Sequence, residues 1–220
     1  KSIQWLEFEQ LSQKKELWSY SLSNLESFSD IEILDINQDG HQDIVALLDV
    51  SLSINEKEWL YVFLGDKQGF SSKPLKVKNL NTKQNFSRPS NLTVLNGELN
   101  KLVVAMGATV REIMIFEIKI NGDTASFSNI EYISEPNTNN GLGPIFIGSF
   151  INNGVKYLTL MSYEEDELKI STFDVEGKHR FINSSIYSLK GTKKLIGSSI
   201  QQVNIKALKQ NGVIIPFQSE

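Results

Sequence analysis

A short acidic stretch, Asp35-Ile-Asn-Gln-Asp-Gly-His-Gln-Asp43, carries the clearest chemical signal in the sequence. Its first acidic and amide side chains stand at every second position, so their oxygens can turn to the same side. Gly40 then allows a sharp reversal of the chain, which a residue with a Cβ resists. Calcium takes about six to eight oxygen ligands from carboxylates, amides and backbone carbonyls. The stretch therefore predicts a calcium loop with the ligands Asp35, Asn37, Asp39, the His41 carbonyl and Asp43.

Two other interpretations of this stretch compete with that prediction. An EF-hand needs an acidic residue at its twelfth position, which is Ala46 here, and a helix after the loop. The run after Asp43 is β-branched and apolar, so the EF-hand is excluded. A metal-free turn stays open, because Asn, Asp and Gly are ordinary turn residues. Carboxylates so close together repel one another without a cation, which favours the calcium loop.

The loop and the residues that follow it resemble the FG-GAP repeat, also called the VCBS or integrin-α type of β-propeller repeat. The resemblance is carried by Asp35-x-Asn-x-Asp-Gly-x-x-Asp-Ile-Val45 and by Val62-Phe-Leu-Gly-Asp-Lys-Gln-Gly-Phe70, and it covers about residues 30–80. It implies the same five calcium ligands. It also implies a propeller with a role in adhesion, as a receptor or in a surface complex.

Short strands and polar turns, which must position this loop, recur along the chain at an interval of about 55 residues. The apolar run after the first turn of each repeat recurs at Ile44, Leu102, Leu158 and Val213. An aromatic residue of the third strand recurs at Phe8, Phe63, Phe116 and Phe173. A period near 50 residues with four strands each is typical of propellers. The predicted fold is therefore all-β, a β-propeller of about four blades of four antiparallel strands.

The repeats divide one predicted domain, residues 1–220, into blades. We expect a half blade at 1–29, complete blades at 30–82, 86–136 and 141–190, and a half blade at 195–220. Pairing of the two half blades would close a ring and remove exposed sheet edges, which invite aggregation. An alternative stays open, in which the chain is a portion of a larger propeller.

Composition limits the classes of function. The 22 basic and 26 acidic residues give a net charge of −4 with no basic surface for nucleic acid. No apolar run approaches the roughly 20 residues of a transmembrane helix. Cysteine is absent, which excludes disulfides and cysteine metal sites. Because His41 and His179 lie in different repeats and no nucleophile or phosphate-loop motif occurs, we expect no enzymatic activity.

The predicted function is a non-catalytic module for protein interaction or adhesion with one structural calcium site, since the other repeats keep the turn without its ligands. The expected partner is another protein. One alternative is a carbohydrate-binding or carbohydrate-processing propeller, and another is an assembly subunit of a larger surface complex. We expect an exported location, periplasmic, extracellular or at the cell surface, because calcium is plentiful there. The start at Lys1, with no charged and apolar leader, suggests a mature product from which any signal peptide has been removed. Aromatic residues that could form a carbohydrate platform are Trp5, Trp18, Trp59, Tyr61 and Phe63.

Overall fold

The structure is a computed structural model. It describes residues 2–10, 13–23, 26–49, 58–78, 89–95, 101–106, 112–134, 146–152, 154–164, 167–175, 180–188, 193–195, 201–205, 210–214 and 217–219. All elements in these ranges are β-strands, which confirms the prediction of an all-β fold. Among the same residues, no helix is long and apolar enough to cross a membrane.

The chain divides into two compact units. The first contains residues Lys1–Lys83 and Glu117–Ser128, and the second contains Gln84–Phe116 and Asn129–Glu220. The candidate calcium loop lies wholly within the first unit.

The first unit is built from a hairpin and an antiparallel sheet. Strands β1 (Ser2–Gln10) and β2 (Gln13–Ser21) pair only with each other among the described strands. Four further strands are neighbours in the order β3-β4-β5-β8, and β6 and β7 form a small hairpin between β5 and β8. Their bounds are β3 (Phe28–Leu34), β4 (Asp43–Leu48), β5 (Glu58–Phe63), β6 (Gly65–Asp66), β7 (Gly69–Phe70) and β8 (Leu75–Lys78).

The second unit contains two four-stranded arrangements and two small sheets. Strands β9 (Pro89–Val94), β10 (Lys101–Met106), β11 (Glu112–Asn121) and β12 (Thr124–Ser134) are neighbours in chain order, and the ends of β11 and β12 nearest their turn count with the first unit. Strands β13 (Phe146–Asn152), β14 (Val155–Glu164), β15 (Glu167–Asp174) and β16 (Arg180–Ser188) form an antiparallel sheet. Strand β17 (Lys193–Leu195) pairs with β20 (Phe217–Ser219), and β18 (Gln201–Ile205) pairs with β19 (Gln210–Ile214).

One pairing joins strands that are distant in sequence. In the first unit, β8 pairs in parallel with the start of β12, with Val77 opposite Ala125 and Lys78 opposite Ser126. Parallel neighbours need a long connection, and these partners are 48 positions apart in the sequence. The repeat pattern of the sequence did not predict this pair.

The core of the first unit lies between its sheet and the β1–β2 hairpin. Strand β4 is buried at every position, which explains why its residues after Asp43 form a continuous apolar run without alternation. Burial of these side chains supplies the main favourable term that holds the hairpin to the sheet. The buried members are Ile3, Ile44, Ala46, Leu48, Tyr61 and Phe63, with Trp18, Tyr20, Leu22, Phe28 and Phe70 packed against them.

The second unit has its own core. Its buried members come from the six strands β10 to β15 and from the residues just after β9 and β15: Leu95, Val103, Ile113, Ile115, Ile133, Ile147, Leu158, Leu160, Phe173 and Val175. Ser149 also donates a hydrogen bond from its hydroxyl to the Val94 carbonyl at 2.9 Å, which links β13 to β9.

The recurring positions of the sequence occupy equivalent strands. Phe63, Phe116 and Phe173 lie in β5, β11 and β15, the third strand of each four-stranded set, and none has any exposed surface. The second strands β4, β10 and β14 likewise carry Ile44, Leu102 and Leu158, which are buried. The side chains of Phe8 and Val213, the other predicted members, lie outside the described part of the structure.

Candidate metal centre

The loop between β3 and β4 turns through two residues in the left-handed region. Gln38 has φ 62° and Gly40 has φ 89°. Ile36 is only 4% exposed and anchors the loop to the interior, whereas residues 37–40 are exposed. A Cβ on Gly40 would meet no atom within 4 Å, so the backbone conformation, and not space, favours glycine there.

The oxygens of Asp35 and Asn37 meet at one backbone amide. Asp35 Oδ1 and Asn37 Oδ1 both accept from the Asp39 N–H, at 3.0 and 3.1 Å. Asp35 Oδ2 accepts from the Gly40 N–H at 2.9 Å. Because one N–H reaches both oxygens, these two predicted ligands are neighbours inside the loop.

Asp39 closes the same cluster from the other side. Its Oδ1 accepts from the His41 N–H at 2.8 Å and lies 3.1 Å from His41 Nδ1, and its Oδ2 accepts from Asn37 Nδ2 at 2.8 Å. The backbone N–H of His41, followed by the amide of Asn37, lowers the pKa of the Asp39 carboxyl below its ordinary value. This carboxylate therefore stays charged to lower pH than an ordinary aspartate.

Asp43 occupies a different environment from the other predicted ligands. Its side chain is fully buried, its Oδ2 accepts from the Ile36 N–H at 2.9 Å, and its Oδ1 accepts from the Gly65 N–H at 2.7 Å. Burial raises the pKa of Asp43 above its ordinary value, while these two backbone donors act in the opposite direction. Asp43 therefore links the loop to the start of β6.

The donor set suits a hard cation. Within the described part of the chain, no three His, Cys, Asp or Glu side chains come close enough to hold a metal by themselves. A site here would need amide and backbone oxygens beside the carboxylates, and these are the oxygens that calcium accepts. The hydrogen bond from Asn37 Nδ2 to Asp39 Oδ2 leaves Asn37 Oδ1 and Asp39 Oδ1 as the oxygens that these two side chains could offer to an ion. The residues that would hold the ion are Asp35, Asn37 and Asp39, the His41 carbonyl and Asp43.

Sequence reasoning missed the part played by Gly65. A Cβ on Gly65 would overlap the Gln42 carbonyl oxygen, so only glycine fits at this position beside the end of the loop. Gly65 also pairs with Phe70 across the β6–β7 hairpin. The available signal was its position two residues after the end of β5, inside the closing turn of the FG-GAP-like segment.

Most of the predicted aromatic platform is buried. Trp59 and Tyr61 are each 3% exposed and Phe63 has no exposed surface, and the Trp59 ring stacks on Phe127 with centroids 4.9 Å apart. Only Trp5, at 43%, offers a large exposed area. Packing within the first unit accounts for the three buried rings.

The sequence was compared with protein-family models and with curated proteins. No protein-family model matches the sequence, and no curated protein matches it. His179, the second histidine, lies outside the described residues. The resemblance to FG-GAP repeats stays a prediction from the residues of the loop and of the turn after β5.

Proposed function

We propose that this chain is a non-catalytic module for protein interaction or adhesion, a β-propeller braced by one calcium ion in the loop between β3 and β4. The observation that carries the proposal is the shared contact of Asp35 Oδ1 and Asn37 Oδ1 with the Asp39 N–H, which gathers oxygen ligands at FG-GAP spacing. A rigid scaffold with variable loops is a common way to present a binding surface.

The grouping of neighbouring strands into sets of four supports the propeller part of the proposal, whereas the parallel pairing of β8 with β12 joins the first two sets into one sheet, which separate blades would not share. The sets β3-β4-β5-β8, β9 to β12 and β13 to β16 correspond to the blade ranges 30–82, 86–136 and 141–190, except that β3 begins at Phe28, before the first range. Each set has four strands, the number in a propeller blade. In this proposal, the hairpins β1–β2 and β18–β19 are the half blades that close a ring of four, and the alternative is a larger propeller of which this chain is a portion.

The remaining parts of the proposal follow from chemistry. The module is non-catalytic because the sequence has no cysteine, no nucleophile motif and only two histidines, which lie in different repeats. The location is exported, because a loop with few carboxylates suits the calcium concentrations found outside cells. The partner is a protein.

Calcium is expected to bind at a single site and to stabilise the fold. At a free concentration of about 100 times Kd, binding to the folded state alone raises the free energy of unfolding by about 2.7 kcal/mol. Asp39→Ala removes the carboxylate at the centre of the loop, so both the binding heat and the stabilisation should disappear. Calorimetric titration and thermal melts with calcium or a chelator measure the two effects.

Asp123→Ala is the matched control for that substitution. Asp123 is another exposed aspartate in a glycine-containing turn, after Gly122, and it lies outside the loop. Its replacement should leave the calcium response unchanged. A melting temperature of the parent chain that does not change with calcium would contradict the calcium brace. An equal loss of the calcium response in Asp39→Ala and Asp123→Ala would contradict it as well.

The interaction part of the proposal needs a separate measurement. The folded chain, immobilised and exposed to native extract, is expected to retain at least one protein that a heat-unfolded sample does not. The folded loops are the surface that the unfolded sample lacks, so the comparison removes non-specific adsorption. Identical retained sets for the two samples would argue against an interaction module.

A further inference from the structure

Asp43 connects the candidate calcium loop to a distant aromatic contact through the interior of the first unit. We propose that Asp43 is a positioning residue, and that it couples occupancy of the loop to the seating of the β1–β2 hairpin. By seating we mean the packing of the Trp5 and Trp18 rings against Phe70. The inference rests on the proposed calcium site and adds a way for that site to act beyond its own loop. Three contacts carry the coupling.

The first contact is the buried carboxylate itself. Asp43 accepts from the Ile36 N–H at 2.9 Å on one oxygen and from the Gly65 N–H at 2.7 Å on the other. The side chain is fully buried, so water does not compete for either bond. A displacement of the loop at Ile36 is therefore felt at Gly65, 22 residues further along the chain than Asp43.

The second contact is the β6–β7 turn. Gly65 lies against the Gln42 carbonyl with no room for a Cβ, and it pairs with Phe70 across the turn. Asp66 Oδ1 accepts from the Gln68 N–H at 2.6 Å and from the Gly69 N–H at 3.1 Å. These bonds make the turn rigid enough to carry a shift at Gly65 to the Phe70 ring.

The third contact is the seat of the hairpin. The Phe70 ring lies 5.2 Å from the Trp5 ring and 5.5 Å from the Trp18 ring, measured between centroids. A Cβ built on Gly69 would lie 3.6 Å from Trp5 Cζ3, so the Trp5 ring lies close to the turn at Gly69. The hairpin therefore packs on the same turn that Asp43 holds.

An unsatisfied donor on Trp18 makes the position of the β1–β2 hairpin sensitive to small shifts of the β6–β7 turn. Trp18 Nε1 is buried and has no hydrogen-bond partner among the described residues. A buried donor without an acceptor costs free energy, which water would restore if the hairpin moved outward. This cost brings the seated and outward positions closer in free energy, so a modest bias from the turn shifts their populations.

The direction of the coupling follows from charge. With the loop occupied, Asp35 and Asp39 no longer repel each other, and the backbone at Ile36 is held where Asp43 can bond to it. Gly65 and the turn are then held in the seated position. Linkage requires the reverse effect as well, so a hairpin without its seat must weaken the affinity of the loop for calcium.

The test uses calcium itself as the probe and the full chain with Trp59→Phe as the background. The chain has three tryptophans, so Trp5 and Trp18 are then the only indoles. Saturating calcium should reduce the quenching of their fluorescence by acrylamide. Phe70→Ala, which lies outside the loop, should weaken calcium binding by about fivefold, the lower end of typical coupling between sites.

Variants of the turn and of Asp43 complete the test. Asp66→Ala removes the acceptor of the turn and should lose most of the quenching response, whereas Asp66→Asn keeps an acceptor oxygen and should retain it. Asp43→Asn also alters a predicted calcium ligand, so it is compared with the parent chain in calcium-free protein. Loss of one of the two acceptor oxygens should increase acrylamide quenching there, because the bond to Gly65 or to Ile36 is lost. Unchanged calcium affinity in Phe70→Ala, or a full response in Asp66→Ala, would overturn the coupling even where the calcium site itself is real.

Failure of the calcium site has a different appearance. If the parent chain gives no binding heat with calcium, the proposed brace is wrong. Whether the β6–β7 turn positions the hairpin is then tested in calcium-free protein. Asp66→Ala should then increase acrylamide quenching relative to Asp66→Asn, because the seat of the hairpin is loosened. Equal quenching of these two variants would show that the turn does not position the hairpin.

Discussion

Phe173→Ala is expected to lower the free energy of unfolding by about 3–5 kcal/mol, the cost typical of removing a buried phenylalanine. Phe173 has no exposed surface and belongs to the core of the second unit, with Leu158, Leu160 and Val175. Phe63→Ala should cost a similar amount in the first unit, because Phe63 is buried at the equivalent third-strand position. Urea denaturation followed by circular dichroism measures both losses.

Exposed isoleucines supply the matched controls for these substitutions. Ile182 on β16 is 45% exposed and Ile33 on β3 is 56% exposed. Replacement of either by alanine should change the free energy of unfolding by no more than about 0.5 kcal/mol, as for ordinary surface sites. If Phe173→Ala costs no more than Ile182→Ala, the recurring aromatic is not a core position and the repeat assignment loses its main support.

Gly65→Ala should destabilise the protein by about 3 kcal/mol or more, from overpacking of about 1–3 kcal/mol and a similar loss at the buried Asp43 carboxylate. The added Cβ would overlap the Gln42 carbonyl oxygen, which is backbone and cannot rotate away. The displacement would also break the 2.7 Å bond from the Gly65 N–H to Asp43 Oδ1. Thermal melts in chelator isolate this effect from any calcium response.

Gly40 is the comparison that separates crowding from backbone strain. It has φ 89° and open space around a hypothetical Cβ, so Gly40→Ala should cost only about 1–2 kcal/mol, the usual price of the left-handed region. Asparagine tolerates that region, so Gly40→Asn should be milder than Gly40→Ala. At Gly65 the order should reverse, since asparagine is larger. A milder effect at Gly65 than at Gly40 would contradict the close approach of the chain to Gln42.

Much of the local structure could be predicted from the residues alone. The β3–β4 loop was predicted from alternating Asp35, Asn37 and Asp39 and from Gly40, and these residues do form one hydrogen-bonded turn. The contacts of Asp43 could not be predicted in this way. Its spacing suggested one more ligand, but whether its oxygens also meet backbone donors depends on Gly65, which the chain brings near only after folding.

The sequence by itself determined the all-β class, the positions of the strands and the recurring buried aromatics such as Phe63 and Phe173. These follow from side-chain periodicity and turn chemistry, which act between near neighbours in the chain. Only the tertiary structure decided the parallel pairing of Val77 with Ala125, the burial of Trp59 and the exposure of Trp5. Those features depend on which distant segments meet, and many pairings satisfy the same local pattern until the side chains pack.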